Sequence, residues 1–502
     1  MSNMTETVQT TKKLYDYQER AMNQIMGKLA EVDDDYNILY QLPTGGGKTV
    51  IFSEIAKRYI LEKGKKVLIL THRVELCRQT SRMLSEFGIS NKVINSKVKG
   101  AHVKDEYSCF VAMVETLNNR LQDEKFDLAG MGLVIIDEAH YNSFRKLYKY
   151  FDNCNMLGVT ATPLSANAKL PMKNDFDELM VGESIPDLIS QGFLAKADIY
   201  AYDVGLGMLK IGSNGDYTVR SSDLLYTSFH MLEKLLYAYR AKSNGKKTLI
   251  FNNGINTSKA VYDAFKEAGL EIRHLDNTAT AQERREILDW FKVTPHAILT
   301  SVSILTTGFD EPTVESIILN RATKSLTLYH QMIGRGSRIL KNKKRFTVID
   351  LGNNAARFGP WDGFVNWGHI FTTPDIYIQN VVSDEEIERN FTFVLPEETK
   401  EKFPKTTDFS FDIESSYKKA VAKGKPPRIV LEQSLDQHAQ ICIENSEDVY
   451  DALYLMPELE EDIADRIKRY ARCIVKSTEN YRKWLHENYT RQLSTKIRQE
   501  FD

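Results

Sequence analysis

The sequence predicts an α/β fold with two doubly wound parallel-sheet lobes in tandem, followed by a mainly helical C-terminal region. Three observations predict it. Short apolar runs alternate with helical stretches through most of the chain. The alternation pauses once, in a Gly/Ser/Asn-bearing stretch from Gly205 to Ser222. After about residue 380 the strand-like runs stop. Continuous apolar strands of this kind suit a parallel sheet covered on both faces.

The elements follow in order. Residues 1–13 form a polar, Thr-rich tail without the apolar core of a signal peptide. The first lobe is placed at 14–200. Its strands read as Asn37–Tyr40, Val67–Leu70, Ser108–Ala112, Leu133–Ile136 and Met156–Val159, and Val50–Arg58 has helical apolar spacing. Residues 201–227 read as a connector. The second lobe is placed at 228–380, with strands Thr248–Phe251, Ile272–Leu275, Ala297–Thr300, Ser316–Leu319 and Thr347–Leu351. The C-terminal region, 381–502, opens with an acidic run, contains a basic linker Lys423–Arg428, and has helical periodicity from Glu447 onward. Two doubly wound lobes leave a cleft beyond the carboxyl ends of their strands, where ligands bind.

Composition narrows the function classes. A length of 502 residues allows about three domains. The net charge of −2 gives no global attraction to nucleic acid, so any such site is a local basic surface. The five cysteines are scattered, odd in number and without a C-x-x-C pair, which argues against a zinc site and a disulfide framework. Reduced thiols and the absence of any apolar run of membrane-spanning length predict a cytoplasmic protein.

The stretch Leu42-Pro-Thr-Gly-Gly-Gly-Lys-Thr49 is a phosphate-binding loop between a strand and a helix. Gly45, Gly46 and Gly47 let backbone N–H groups approach a triphosphate closely. Lys48 reaches the β- and γ-phosphates, and the Thr49 hydroxyl can ligate Mg²⁺. Leu42 stands where the strict pattern has glycine; the strand–loop–helix context compensates. Asp137 and Glu138 end an apolar strand, with Asp137 assigned to the metal and Glu138 to the attacking water. Arg335 and Arg338 lie three apart, which places them on one face of a helix, and they come from the second lobe. They read as arginine fingers acting across the cleft.

These residues resemble the helicase motifs of superfamily 2 in order and spacing, over about residues 14 to 368. Tyr17-Gln18 resembles the adenine-reading motif, with Tyr15 in place of a usual basic residue. Leu42 to Thr49, with Thr44 among its nucleotide contacts, matches motif I, Asp137-Glu-Ala-His140 the DEAH form of motif II, Thr160-Ala-Thr162 motif III, Thr306-Thr-Gly308-Phe-Asp310 motif V, and Gln331 to Arg338 motif VI. The chain looks similar to the bacterial RadD-like branch, related to XPB-type DNA helicases. The resemblance implies RecA-like lobes, ATP and Mg²⁺ as cofactors, catalysis by Lys48, Asp137, Glu138, Gln331, Arg335 and Arg338, and nucleotide contacts from Gly308 and Asp310. It also implies coupling through His140, Thr160 and Thr162, and nucleic-acid contacts from Thr71, Arg73, Thr116, Phe251, Asn252, Thr306 and Thr307, with 3′ to 5′ movement.

Two features lie outside the motifs. Phe358 to Trp367 holds four aromatic residues, which form either a base-stacking loop or a packed brace. The terminal helical stretch interleaves Arg466, Arg482, Lys483 and other cations with Tyr470, Tyr481, Trp484 and Tyr489, which either track phosphates or form an ordinary amphipathic face. The expected function is an ATP-dependent DNA helicase or translocase on branched or single-stranded DNA in repair, recombination or replication. The alternatives are an RNA helicase, the motor of a restriction or anti-phage complex, and an ATP-gated clamp. A monomer is expected, with a protein partner available through the C-terminal region.

Overall fold

The computed structural model describes residues 13–94, 107–124, 126–165, 167, 169–302, 305, 309–384, 387, 395–473 and 479–501. The chain divides at Asp384 into two compact units.

The first unit contains both lobes. The first sheet is built from β1 (Asn37–Gln41), β2 (Lys66–Thr71), β3 (Asn91–Ile94), β4 (Cys109–Met113), β5 (Met131–Asp137), β6 (Asn155–Thr160) and β7 (Glu178–Val181), in the order β3-β4-β2-β5-β6-β1-β7. The second contains β8 (Lys196–Ala201), β9 (Thr248–Asn252), β10 (Ile272–Leu275), β11 (Ile298–Val302), β12 (Ser316–Asn320) and β13 (Arg345–Asp350), in the order β10-β11-β9-β12-β13-β8. Every paired strand runs parallel. The apolar central strands are the reason. All seven residues of β5, for instance, are buried, and burial on both faces requires helices on both faces. Because all strands point the same way, their carboxyl ends collect the loops that follow them on one edge of each lobe.

Three boundaries differ from the sequence reading. β8 pairs with β13 from Lys196–Arg345 to Ala201–Asp350, so it belongs to the second lobe and the first ends before it. Residues 201–227 are not a free connector: Val204, Leu206, Tyr217, Leu225 and Tyr226 are buried in the second lobe's core with Ile250 and Ile318. The second lobe's chain also returns to the first, where Phe371 packs with Met172 and Phe176 and Lys173 Nζ donates to Thr372 O at 2.7 Å. The aromatic stretch before this crossing is mainly a brace. Trp361 is buried edge-on against Phe346, whereas Phe364 is exposed.

The second unit is helical, as the periodicity predicts, with helices Ile413–Ala422, Ile429–Glu444, Val449–Leu455, Glu460–Cys473 and Glu479–Phe501. Its apolar core includes Val430, Ile463, Leu493 and Ile497, and it encloses a buried polar network. His438 bridges Tyr489 Oη (2.9 Å) and Asp462 (2.8 Å). Arg466 binds Asp462 at 2.7 Å and donates to Gln437 and to the Phe409 carbonyl, both at 2.8 Å. Arg466, Tyr470 and Tyr489 therefore face inward and do not track phosphates. Among the described residues, no helix is long and apolar enough to cross a membrane.

Arg466→Met should leave Asp462 charged and short of a partner, and removing one member of a buried pair costs about 3–5 kcal/mol. Urea denaturation should show the second unit melting earlier while the first keeps its midpoint.

Candidate nucleotide site in the cleft between the lobes

Three neighbouring strands place the first lobe's contribution. β1 leads into the phosphate loop, β5 into Asp137, and β6 lies between them, carrying Thr160 at its end. The loop is tied to β6 by Leu42 N–H donating to Thr160 O at 3.0 Å. Gly45 and Gly47 have φ of 95° and 83°, values that side chains disfavour. The helix Lys48–Lys63 starts immediately afterwards, so its free N–H groups face the loop. Lys48 is buried and curls into the loop, donating to Leu42 O at 3.2 Å. Burial pulls its pKa down, and the nearby Glu138 and Asp137 oppose that pull.

The entry helix Asp16–Glu31 closes the loop from one side. Tyr17 Oη donates to Gly46 O at 2.8 Å, and a methyl group on Gly47 would overlap the Gln18 carboxamide. Phe193 joins Tyr15 and Tyr17, with ring centroids 4.5 and 4.9 Å away, and Tyr15 stays exposed. This aromatic cluster borders the loop where a base could stack.

Beyond β5, burial raises the Asp137 carboxyl to about 7, with Glu138 adding to the rise and Lys48 opposing it. Glu138 moves the other way. Burial pushes it up, but Lys48 and Arg335 among its neighbours outweigh burial and hold it below the usual carboxylate range. Its φ of 54° is a strained left-handed value for a residue with a side chain. Glu138 Oε2 lies 3.4 Å from His140 Nδ1, which is 2.9 Å from Thr160 Oγ1. Thr160 donates to Thr162 O at 3.0 Å, and Thr162 Oγ1 donates to Thr327 Oγ1 of the second lobe at 2.8 Å. A continuous polar chain thus runs from Glu138 into the other lobe.

The second lobe supplies the cations. The helix Leu326–Ile333 ends at Gly334, so Arg335 and Arg338 lie in the turn and bridge after it, not on the face of a helix as their spacing suggested. The glycines of that turn pack too closely for side chains. A side chain on Gly334 would strike Thr44 of the phosphate loop, and one on Gly336 would strike Phe346. Arg335 donates to Phe309 O at 2.6 Å, and burial lowers its pKa to about 10. Arg338 Nε donates to Asp310 at 2.7 Å, and its guanidinium lies where a Gly45 side chain would stand. Gln331 faces Tyr141 of the first lobe.

Of the buried polar atoms without a hydrogen-bond partner among the described residues, five belong to these site residues of the two lobes: Thr44 Oγ1, Glu138 Oε2, His140 Nε2, Gln331 Nε2 and Arg338 Nη1. Buried polar groups are normally satisfied, so their convergence on a glycine cradle fits a polyphosphate. Thr49 and Asp137 fit Mg²⁺, which takes one or two protein oxygens and completes its shell with phosphate and water.

Three of the expected nucleic-acid contacts, Thr71, Phe251 and Asn252, are buried. Phe251 is core, 1% exposed, and Asn252 is fully buried, holding Thr300 and Asn320 across the sheet. Neither side chain can reach a strand; both stabilise the sheet end from within. Thr71 is also buried, its hydroxyl spent on Arg73 O (3.2 Å) and Cys77 Sγ (2.9 Å). Arg73 and Thr116 are half-buried just after β2 and β4. Thr306, Thr307 and Gly308 lie outside the described residues. Thr327, Tyr141 and Phe193 belong to the site and escaped the sequence reading. Thr327 had a faint signal, in the Ser325 cap that starts its helix; Phe193 had none.

Comparison with known proteins agrees with this geometry. Residues 11–165 match the family "Type III restriction enzyme, res subunit", and 227–340 match "Helicase conserved C-terminal domain". A 51.5 kDa protein of a Lactococcus phage is 29% identical over 66% of this chain and 69% of its own length. A Saccharomyces cerevisiae protein named as an ATP-dependent helicase, IRC3, is 29% identical over 67% of this chain, which spans about half (51%) of that protein. A fragment of an HsdR subunit of a type I restriction enzyme from Vibrio vulnificus shares the fold, with a TM-score of 0.55 and 21% identity, over 70% of this chain and 67% of that one. The chain carries the two domains of a superfamily 2 helicase, an ATP-hydrolysing enzyme, and the first of them matches the type III restriction-enzyme family.

Thr162→Val and Thr327→Val each remove the same inter-lobe hydrogen bond. Each should lower nucleic-acid-stimulated ATP hydrolysis, and the double variant should be no worse than either alone, because contacting residues are non-additive. Steady-state ATPase assays of the three variants check this.

Proposed function

We propose that this enzyme is a DNA motor whose ATP hydrolysis is switched on by closure of the two lobes. The observation that carries the reading is the Arg338 guanidinium lying on Gly45 of the opposite lobe's phosphate loop. Lys48 and the loop N–H groups hold the β- and γ-phosphates. Thr49 and Asp137 would hold Mg²⁺, which neutralises phosphate charge when bound. Glu138, whose carboxyl Lys48 and its other cationic neighbours hold down against burial, orients the attacking water, with His140 beside it. Arg335 and Arg338 meet the charge that develops on the transferred phosphoryl group, the role of arginine fingers. The Gln18 carboxamide and the Tyr15–Phe193 rings receive the adenine. Arg73 and Thr116 contact the nucleic-acid backbone, where hydroxyls and cations bind without reading sequence.

The polar chain from Glu138 through His140, Thr160 and Thr162 to Thr327 supplies the coupling. A change at the γ-phosphate alters what Glu138 and His140 face, and the hydrogen bond to Thr327 carries it to the second lobe. The intact set of Lys48, Asp137, Glu138, Arg335 and Arg338 speaks against an ATP-gated clamp without turnover. DNA is favoured over RNA because the matching family and the Vibrio structure are both named for restriction enzymes. The same likeness supports a second reading, a motor subunit of a restriction or anti-phage assembly whose partner supplies the nuclease. For the motor acting by itself we place the substrate among branched or single-stranded DNA met in repair, recombination or replication.

ATP hydrolysis should be measured without nucleic acid and with single-stranded DNA, duplex DNA, forked DNA and matched RNA. The reading expects stimulation by DNA well above RNA, with fork above duplex. Stimulation by RNA alone would replace it with an RNA motor.

A further inference from the structure

The second unit carries an exposed aromatic pair on its terminal helix. The helix Glu479–Phe501 turns Leu485, Tyr489, Leu493 and Ile497 into the core. On its outer side Tyr481 and Trp484 stack on each other, with ring centroids 5.8 Å apart and planes 21° from parallel. Trp484 is 47% exposed, whereas Trp361 and Trp367 are buried. Leaving half a tryptophan in water forfeits burial that the core nearby could have supplied.

A second segment meets this pair. Gly424, at φ 65°, ends the helix Ile413–Ala422 and starts the turn Lys423-Gly-Lys-Pro-Pro-Arg428. Lys423, Lys425 and Arg428 are all exposed, and the Arg428 guanidinium lies 6.0 Å from the Trp484 ring centroid. The turn contains three cations and no carboxylate, and Arg482 adds another exposed cation beside the pair. Pro426 and Pro427 restrict the turn's backbone, so the cation is pre-positioned. Glu432 and Glu487 lie about one turn further along their helices and bound the patch. In a chain with a net charge of −2, this local excess of positive charge is selective for a polyanion.

We propose that Trp484, Tyr481 and Arg428 form a second nucleic-acid site, one that takes unpaired bases of a single strand. Exposed aromatic faces bind bases regardless of sequence, and neighbouring cations take the phosphates. Duplex interiors hide their base faces, so the site distinguishes a free strand from a paired one. It would give the motor a hold on unwound strand that lies outside the two lobes.

The test uses the full chain and a fluorescein-labelled oligothymidylate, with oligouridylate and a blunt hairpin duplex as comparators. Trp484→Ala should weaken oligothymidylate binding roughly tenfold, and Trp484→Phe should restore most of it. Arg428→Gln should weaken binding several-fold and make it less sensitive to salt. Oligothymidylate should quench tryptophan emission in the natural protein, and Trp484→Ala should lose the quench. ATP hydrolysis without nucleic acid should be unchanged in all three variants, and the urea midpoint of the second unit, unchanged within error, shows that they fold. Unchanged oligothymidylate affinity in Trp484→Ala overturns the site and leaves the motor reading intact. Failure of the natural protein to bind any oligonucleotide overturns both. Loss of binding to anionic phospholipid vesicles, with oligonucleotide binding intact, makes the patch a membrane site and also overturns the proposal.

Discussion

The structure turns on one close approach, that of the Arg338 guanidinium to the glycine cradle of the phosphate loop. Gly45 has no side chain, and the space a side chain would fill is occupied by Arg338 and Leu194. Asp310 holds the Nε side of the guanidinium, so the Nη side points across the cleft. Gly334 meets Thr44 for the same steric reason. Neither lobe contains a complete site. The parallel sheets serve this approach by putting both sets of loops at strand carboxyl ends, and the chain that returns through Phe371 holds the lobes together.

Electrostatics make that approach conditional. Lys48, Arg335 and Arg338 are brought together with Asp137 and Glu138 in a largely buried space. Burial pulls the Lys48 and Arg335 pKa values down and pushes that of Asp137 up. Charges gathered at low dielectric are costly unless they are paired. The unpartnered Arg338 Nη1 and Glu138 Oε2 show that the protein's own groups leave the pairing incomplete. On the proposed reading a bound triphosphate with its metal would complete it, and so would couple substrate binding to lobe closure. The strained backbone of Glu138 belongs to the same economy, because its carboxylate is aimed by geometry the chain would not otherwise choose.

The central strands and the phosphate chemistry were legible in the sequence for physical reasons. A strand buried on both faces must be continuously apolar, as in Leu133–Ile136, and a phosphate loop must be glycine-rich. Edge strands obey no such rule. β3, β7 and β8 are partly exposed, and Lys196-Ala-Asp-Ile-Tyr-Ala201 lacks a continuous apolar run although it completes the second lobe's sheet. Motif likeness also misled where it ignored side-chain direction. Phe251 and Asn252 sit at the right strand end, but the sheet buries both. The inter-lobe partner Thr327 lies 165 positions from Thr162, and only folding brings them together.

The central claim is that turnover requires the second lobe's arginine on the first lobe's phosphate. The most direct measurement is single-turnover ATP hydrolysis by Arg338→Ala, with ATP affinity measured separately and DNA present. The account predicts a rate lower by at least about a hundredfold, with both lobes folded and ATP still bound. A rate within a few-fold of the natural protein would contradict it and return the catalytic site to the first lobe alone.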